Sequence, residues 1–295
     1  MRRALIQQKF SQLELVNEQI WGGLGEGLGY DPLELYERGI APHLSFANAS
    51  DPLQWHKQYG PLFGCTSAYS CSVSAFAEAR TRFAAVLDLW RAYEGARKDL
   101  RQSLLLAMAE TGFISVPGRG SVICQNAGWM AEATGEEETG LQHIHALPAE
   151  GQSDTPPSRE NLKTLAEEAC AQIPGRKLRE AAEDLLKLVL SFRLQDVHPD
   201  FLCTKGFEAT WTVRDFLQAC YLMIFYDITG KKSVVTCREC SQFFYPTSKR
   251  PQFCSSECAR KSRQRRYWNR RGKTLRKKRR GYHGASTRKT RRQSQ

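Results

Sequence analysis

The chain has 295 residues, of which 41% are hydrophobic, 10% aromatic and 25% charged. This composition is typical of a globular protein and excludes a collagen-like repeat, a low-complexity chain and a small disulfide-bonded scaffold. The longest apolar run, residues 216–226, is about half as long as a membrane span. No apolar segment follows the basic N-terminal residues as in a secretory signal. The sequence therefore predicts a cytoplasmic protein without a membrane-spanning segment.

The net charge of +12 is concentrated near the C-terminal end. Seventeen Lys and Arg lie between Arg260 and Arg292, and no acidic residue follows Glu257. The rest of the chain has 26 basic and 31 acidic residues. A solubilising tail is the alternative interpretation, but such tails seldom lack acidic residues altogether. The basic block favours a polyanionic partner, because a run of one charge sign repels itself and attracts the opposite charge.

Apolar positions at three- and four-residue spacing predict an amphipathic helix over the first twenty residues. Glycines recur in residues 22–29, but they match neither G-x-G-x-x-G nor a P-loop, so this stretch is interpreted as a flexible connector. Residues 72–110 are strongly helical in composition, and Gly95 is expected to divide them into two helices. Short β-rich runs in residues 113–123 predict a hairpin.

Residues 135–157 are acidic and then rich in Pro, Gly and Ser, which predicts an exposed loop. Helices are expected to resume at residues 158–173, 175–194 and 212–228, and a short strand to begin at Val234. His143 and His145 lie beside several glutamates in the predicted loop, where a solvated acidic segment is favoured over a metal site. The other histidines are isolated in the sequence: His43, His56, His198 and His283.

The ten cysteines fall into two classes. Six have no regular spacing and are expected to be small buried residues in a reducing compartment: Cys65, Cys71, Cys124, Cys170, Cys203 and Cys220. The other four form C-x2-C, thirteen intervening residues and C-x3-C within twenty-two residues: Cys237, Cys240, Cys254 and Cys258. No histidine lies within this frame, where a zinc-stabilised nuclease would place a catalytic one.

Two close pairs of thiolates are the usual way in which a chain holds Zn²⁺ tetrahedrally. The two-residue gap after Cys237 suits a tight turn, and the three-residue gap after Cys254 places two ligands on one face of a first helical turn, with Ser255 or Ser256 as its cap. Four thiolates leave no open position for water, so the predicted zinc is structural. An iron–sulfur cluster is the alternative, although its motifs group the cysteines differently.

Basic residues continue the predicted helix after the fourth cysteine on nearly every face. Guanidinium and ammonium groups bind phosphates and base edges, so the helix is expected to contact nucleic acid. The predicted contact residues are Arg260, Lys261, Arg263, Arg265, Arg266, Arg270, Arg271 and Lys273. A protein-interaction knuckle with a solvated basic helix is the alternative interpretation.

Residues 211–271 resemble the C-terminal module of the CGNR zinc-finger proteins. The resemblance rests on the apolar helix, the aromatic residues 242–246 after the second cysteine, and residues 253–268. The family has Gly-Asn-Arg after the fourth cysteine, where this chain has Ala-Arg-Lys at 259–261. The resemblance implies that the four cysteines are metal ligands and that residues 260–271 form a DNA-facing helix. It also implies a mostly helical N-terminal domain and a role in bacterial transcription regulation.

The sequence predicts a mainly α fold in three parts. Residues 1–230 form a helical body with a small β-hairpin and a candidate internal boundary at 135–157. Residues 231–272 form a zinc-bound, treble-clef-like hairpin–helix module, and residues 273–295 a basic, disordered tail. We expect a non-enzymatic, zinc-dependent regulator that binds duplex DNA, with a helical body that senses a signal or forms a homodimer.

Two other functions stay open at this point. In an RNA- or ribosome-associated protein, Tyr267 and Trp268 would stack on unpaired bases. In a zinc-stabilised protein-interaction adaptor, binding would depend on the apolar helix of residues 216–225 and would survive high salt.

Overall fold

The computed structural model describes residues 10–24, 31–63, 68–95, 99–116, 120–123, 158–203, 207–246 and 252–271. The chain divides into two compact units, Met1–Ser233 and Val234–Gln295, here named the body and the module. Helices predominate, and the strands form small antiparallel sheets. None of the helices in the described ranges has the length and apolarity needed to cross a membrane.

The body begins with a three-stranded antiparallel sheet. Strand β1 (Phe10–Val16) pairs with β2 (Gln19–Leu24), and β2 pairs along its other edge with β3 (Ala68–Ser72). The helix predicted over the first twenty residues is therefore wrong for residues 10–20. The connector predicted from the glycine run is also wrong for its first residues, 22–24, which belong to β2.

Turn geometry and burial explain why residues 10–20 are strands. Asn17 and Glu18 have φ angles of 49° and 62°, which is the left-handed pair of a two-residue hairpin turn, and Asn tolerates this conformation well. Ile20 is fully buried, whereas Val16, four residues earlier and on the opposite face of the sheet, is 48% exposed. The apolar residues therefore do not share one buried face as they would in a helix, because successive side chains of a strand point to opposite faces of the sheet.

Three short helices follow, each with a proline in its first turn: α1 (Pro32–Glu37), α2 (Pro42–Asn48) and α3 (Pro52–Tyr59). Proline is favoured there because the first helical N–H groups have no partner within the helix. The carboxylate of Asp31 accepts from Leu33 N and caps α1, and that of Asp51 accepts from Gln54 N and caps α3.

The predicted helical stretch 72–110 forms two helices, α4 (Val73–Glu94) and α5 (Leu100–Thr111). The hydroxyl of Ser72 accepts from Ala75 N at 3.0 Å and caps α4. Gly95 ends α4, as expected. Gly112 follows α5 with φ of 72°, a left-handed cap that favours glycine.

The predicted hairpin of residues 113–123 is present as β4 (Phe113–Val116) and β5 (Gly120–Ile123). Helix α6 (Arg159–Gln172) is capped by the Ser158 hydroxyl, and a short 3-10 turn leads into α7 (Leu178–Arg193). A further hairpin, β6 (His198–Cys203) with β7 (Phe207–Thr212), had no counterpart among the sequence predictions.

The last helix of the body, α8 (Phe216–Thr229), lies in its core and contacts α1, α2, α4 and α7. It begins four residues later than predicted because Thr212 pairs with His198 in the preceding hairpin. Its residues are buried around most of its circumference, as expected of a core helix. The aromatic core contacts it at two places, Trp55 against Phe216 and Phe83 against Tyr221, with ring centroids 5.2 and 5.1 Å apart.

Several predictions fall outside the described residues. They concern the loop and boundary at 135–157 with His143 and His145, the tail 273–295 with Lys273 and His283, and Cys65 and Cys124. Among the remaining scattered cysteines, Cys71, Cys170 and Cys220 are buried and free, as predicted.

Candidate metal centre

The first pair of cysteines lies in a tight turn between two short strands. Strand β8 (Val235–Thr236) is the predicted strand before the first cysteine, and it pairs with β9 (Phe243–Phe244). Cys237 N donates to Gln242 O at 2.8 Å, and Ser241 N donates back to Cys237 O at 2.9 Å. These bonds close the turn around the C-x2-C motif.

The second pair of cysteines lies at the start of helix α9, residues 256–271. The hydroxyl of Ser255 accepts from Cys258 N at 3.2 Å, which identifies Ser255 as the helix cap. Cys254 precedes the cap and Cys258 lies in the first turn, so their sulfurs come together at one end of the helix. Their Sγ atoms are 3.6 Å apart.

All four sulfurs converge, as the spacing predicted. The Sγ atoms of Cys237, Cys240, Cys254 and Cys258 lie within 4.8 Å of one another. The sulfurs of Cys240 and Cys254 are 3.6 Å apart, far beyond the roughly 2.05 Å of a disulfide. Four sulfurs about 2.3 Å from one tetrahedral ion lie about 3.8 Å from each other, so the cluster has the dimensions of a single metal site.

The thiols of this cluster cannot all be ionised without a cation. Desolvation raises the pKa of Cys237, but backbone N–H groups that donate to its sulfur lower the pKa to about 6. These donors belong to Glu239, Cys240 and Cys254. Burial, together with the neighbouring sulfurs, raises the pKa of Cys254 to about 12. The thiolate form of Cys237 is therefore favoured without a metal, whereas ionisation of Cys254 requires the positive charge of a metal ion.

Contacts outside the four sulfurs hold the two halves of the module together. Arg238 N donates to Gln252 O at 2.9 Å, which joins the first turn to the segment before the second pair. Arg265 donates to the carboxylate of Glu239 at 2.6 Å and ties α9 to the same turn. The Glu239 side chain is only 8% exposed. This pair was not predicted from the sequence; an acid inside C-x2-C beside a basic helix indicates an ion pair there, but it does not identify which base makes it.

The aromatic residues between the two cysteine pairs are half-buried. They are Phe243 and Phe244 in β9 and the following Tyr245, and Phe253 is half-buried as well. This burial is consistent with a small apolar core beside the four sulfurs, and the short strands hold two of these side chains next to the first turn.

The predicted nucleic-acid contact residues within residues 256–271 are all exposed. Lys261 pairs with Glu257 at 2.9 Å, and Arg265 pairs with Glu239. Arg271 donates to the hydroxyl of Tyr267 at 3.4 Å. The side chains of Arg260, Arg263 and Arg266 make no hydrogen bond or ion pair with any described residue.

A separate cluster of polar side chains is buried in the body. His43 Nε2 lies 3.0 Å from Asp227 Oδ2, and both side chains are 0% exposed. The Tyr36 hydroxyl donates to Asp227 Oδ1 at 2.6 Å and accepts from Lys232 Nζ at 2.8 Å. Burial lowers the pKa of His43, although Asp227 acts in the opposite direction. His43 is therefore not isolated, because it joins α2 to the end of α8.

No family model matches the chain, and no curated protein or solved structure is significantly similar to it. The description of the four-cysteine site therefore rests on its geometry alone: it can hold one metal ion at the start of an exposed basic helix.

Proposed function

We propose that this chain is a zinc-dependent DNA-binding protein that regulates transcription through its C-terminal module. One observation carries the proposal: four sulfurs within 4.8 Å of one another lie at the root of a helix whose arginines face solvent. The metal fixes the first turn against α9 and so presents the helix to DNA. The resemblance to the CGNR zinc-finger proteins supports the same function.

Zinc is the metal that the site favours. Tetrahedral thiolate sites of this kind hold Zn²⁺ or iron. In an iron–sulfur cluster the thiolates bind different iron atoms, which spreads the sulfurs farther apart than around one ion. The separations of 3.6 Å between Cys240 and Cys254 and between Cys254 and Cys258 favour a single ion. Four thiolates fill its coordination, so the role of the zinc is structural.

DNA is the partner that the charge distribution favours. Arg260, Arg263 and Arg266 extend from α9 without partners among the described residues, and their guanidinium groups match phosphate oxygens and the acceptor edge of guanine. A protein partner seldom requires charge of one sign only. We place duplex DNA on the exposed side of α9, with the body acting as the sensing or dimerising part.

Selection from a random duplex DNA pool tests this function. Zinc-loaded full-length protein is incubated with the pool at physiological salt, and the bound fraction is sequenced. Enrichment of one motif supports sequence-specific binding, and a two-fold repeated motif supports a dimer. Retention of DNA without enrichment would contradict a role in sequence-specific regulation.

The metal requirement is tested with a matched pair of variants. Cys254→Ser removes one ligand of the site, and Cys170→Ser replaces a buried thiol of the body. We expect the first variant to lose both zinc and DNA binding, and the second to keep both. DNA binding by Cys254→Ser without bound metal would show that the metal is incidental.

A further inference from the structure

Two large aromatic side chains project into solvent near the end of α9. Tyr267 is 56% exposed and Trp268 is 54% exposed. Their ring centroids are 5.5 Å apart and their planes are tilted by 74°. The surrounding helix is otherwise polar and strongly basic, so neither ring belongs to an apolar core of the module.

Tyr267 lies in the same row as the basic residues of α9. Positions 260, 263, 267 and 270 follow the spacing of one helical face, on the side away from Cys258. A phosphate backbone that binds Arg260 and Arg263 therefore runs toward Tyr267. A phenol ring interacts only weakly with a hydrated phosphate, whereas it stacks favourably on the flat face of a base.

The ring geometry leaves surface for such a base. The guanidinium of Arg271 lies over Trp268, 5.7 Å from the ring centroid, and donates to the Tyr267 hydroxyl. This cation covers one side of the indole and orients both rings. The two rings meet edge to face, so their contact covers at most one ring face, whereas a parallel stack would cover two.

We propose that Tyr267 and Trp268 stack on unpaired bases, so that α9 prefers DNA in which single-stranded bases adjoin a duplex. This inference rests on the proposed function, because the arginine row must bring the helix to DNA. Every base has an aromatic face, so stacking of this kind tolerates different sequences. The arginines bind the backbone on the duplex side, and the two rings hold the bases beyond it.

A nucleic acid fits this surface better than a protein does. An apolar protein groove would have to accept the two rings together with the guanidinium of Arg271 that contacts both, and to desolvate that charge. A nucleic acid supplies aromatic faces and anionic phosphates in alternation, which matches aromatic rings set in a basic row.

The experiment compares three labelled DNA probes by fluorescence anisotropy with zinc-loaded full-length protein. One is a blunt duplex, one carries a single-stranded overhang, and one carries the same overhang with abasic sites. We expect the overhang with bases to bind roughly 5- to 100-fold more tightly than the blunt duplex, from the usual strength of base stacking on aromatic side chains. The abasic overhang is expected to gain only the electrostatic attraction of its added phosphates, so it should bind severalfold more weakly than the overhang with bases.

Variants of Trp268 assign the effect to the rings. Trp268→Ala should remove most of the overhang preference while leaving blunt-duplex affinity and zinc content unchanged, and Trp268→Phe should keep part of the preference. Equal binding of the duplex and the overhang by the unaltered protein would overturn the stacking proposal and leave DNA binding intact. Failure to bind any of the probes would overturn the proposed function itself.

Discussion

Arg265 Nη2 lies 2.6 Å from Glu239 Oε1, so α9 is tied to the turn between the first two cysteines by an ion pair that spans 26 residues. The carboxylate is largely buried, whereas the Arg265 side chain is 66% exposed. Arg265 is thus positioned to hold the module together, although its place in the basic helix suggests a contact with DNA.

Replacing Arg265 should therefore lower the stability of the module more than it weakens DNA binding. We expect Arg265→Ala to accelerate zinc loss to a chelator and to lower the stability of the module by about 1 kcal/mol or less, since the arginine is largely exposed. Metal release followed with a colorimetric chelator measures the effect.

The matched control for this prediction is Arg263→Ala, two residues earlier on the same helix. Arg263 has no ion pair among the described residues, so its replacement should leave zinc release unchanged and weaken DNA binding instead. Identical zinc release by the two variants would show that the bond between Arg265 and Glu239 contributes nothing to the module.

Salt dependence should reveal how many phosphates the helix contacts. For six to eight phosphate contacts, the logarithm of the affinity is expected to fall against the logarithm of salt concentration with a slope of roughly −5 to −7. Replacing Arg260, Arg263 or Arg266 singly by Ala should reduce the slope by about 1 each. A slope shallower than about −2 for the unaltered protein would contradict electrostatic binding.

Removing the metal should unfold the module and leave the body intact. The module is small and its thiols are clustered around one point, so we expect its folding to depend on the bound ion. A chelator should make the module sensitive to limited proteolysis, while a fragment containing the body persists. Resistance of the metal-free module to protease would show that its folding does not require the ion.

The buried carboxylate of Asp227 should contribute strongly to the stability of the body. Asp227→Ala leaves the polar groups of Tyr36 and His43 without this acceptor, and a buried polar group that loses its acceptor costs about 1–3 kcal/mol. Tyr36→Phe removes one hydrogen bond to the carboxylate and should cost about 1 kcal/mol. Urea denaturation followed by tryptophan fluorescence measures both.

Glu180→Ala serves as the control for these two variants, because Glu180 is an exposed acid on α7. We expect its replacement to change the free energy of unfolding by less than about 0.5 kcal/mol. An equally small change for Asp227→Ala would contradict a structural role for the buried network.

The stability of the body should fall on mild acidification because of His56. Burial lowers the pKa of His56 to about 4, only partly offset by its hydrogen bond to Pro52 O. In the unfolded chain the histidine takes up a proton near pH 6.5, but in the folded body it does so only near pH 4. The free energy of unfolding therefore declines as the pH falls between these two values, by up to about 3 kcal/mol.

A series of urea titrations between pH 7 and 5 tests this dependence. His56→Gln cannot take up the proton, so its stability should decline less steeply over the same range. His43, whose pKa burial also lowers, is expected to account for part of the remaining decline. Parallel curves for the two proteins would show that His56 does not carry the effect.

Local patterns predicted the metal centre well, because its geometry is encoded within a few residues. The C-x2-C turn and the serine cap of α9 bring the sulfurs together in the way that their spacing indicates. The ion pair between Glu239 and Arg265 was not predicted, because a run of basic residues does not indicate which of them contacts the acid in the first turn.

Predictions failed where long-range pairing decides the structure. Residues 10–20 have spacing compatible with a helix, and their strands depend on pairing β2 with β3 some fifty residues away. The partner of His43 is 184 residues away, and no local pattern shows such a contact. The β6–β7 hairpin was missed in a segment to which the periodicity assigned no element.

The two compact units meet at a single position, between Ser233 and Val234. Each unit is consequently one uninterrupted stretch of the chain, and no segment of either is inserted into the other. A single recombination event at that position suffices to join the four-cysteine module to a different body, or this body to a different module. The architecture thus allows the body and the module to be inherited separately.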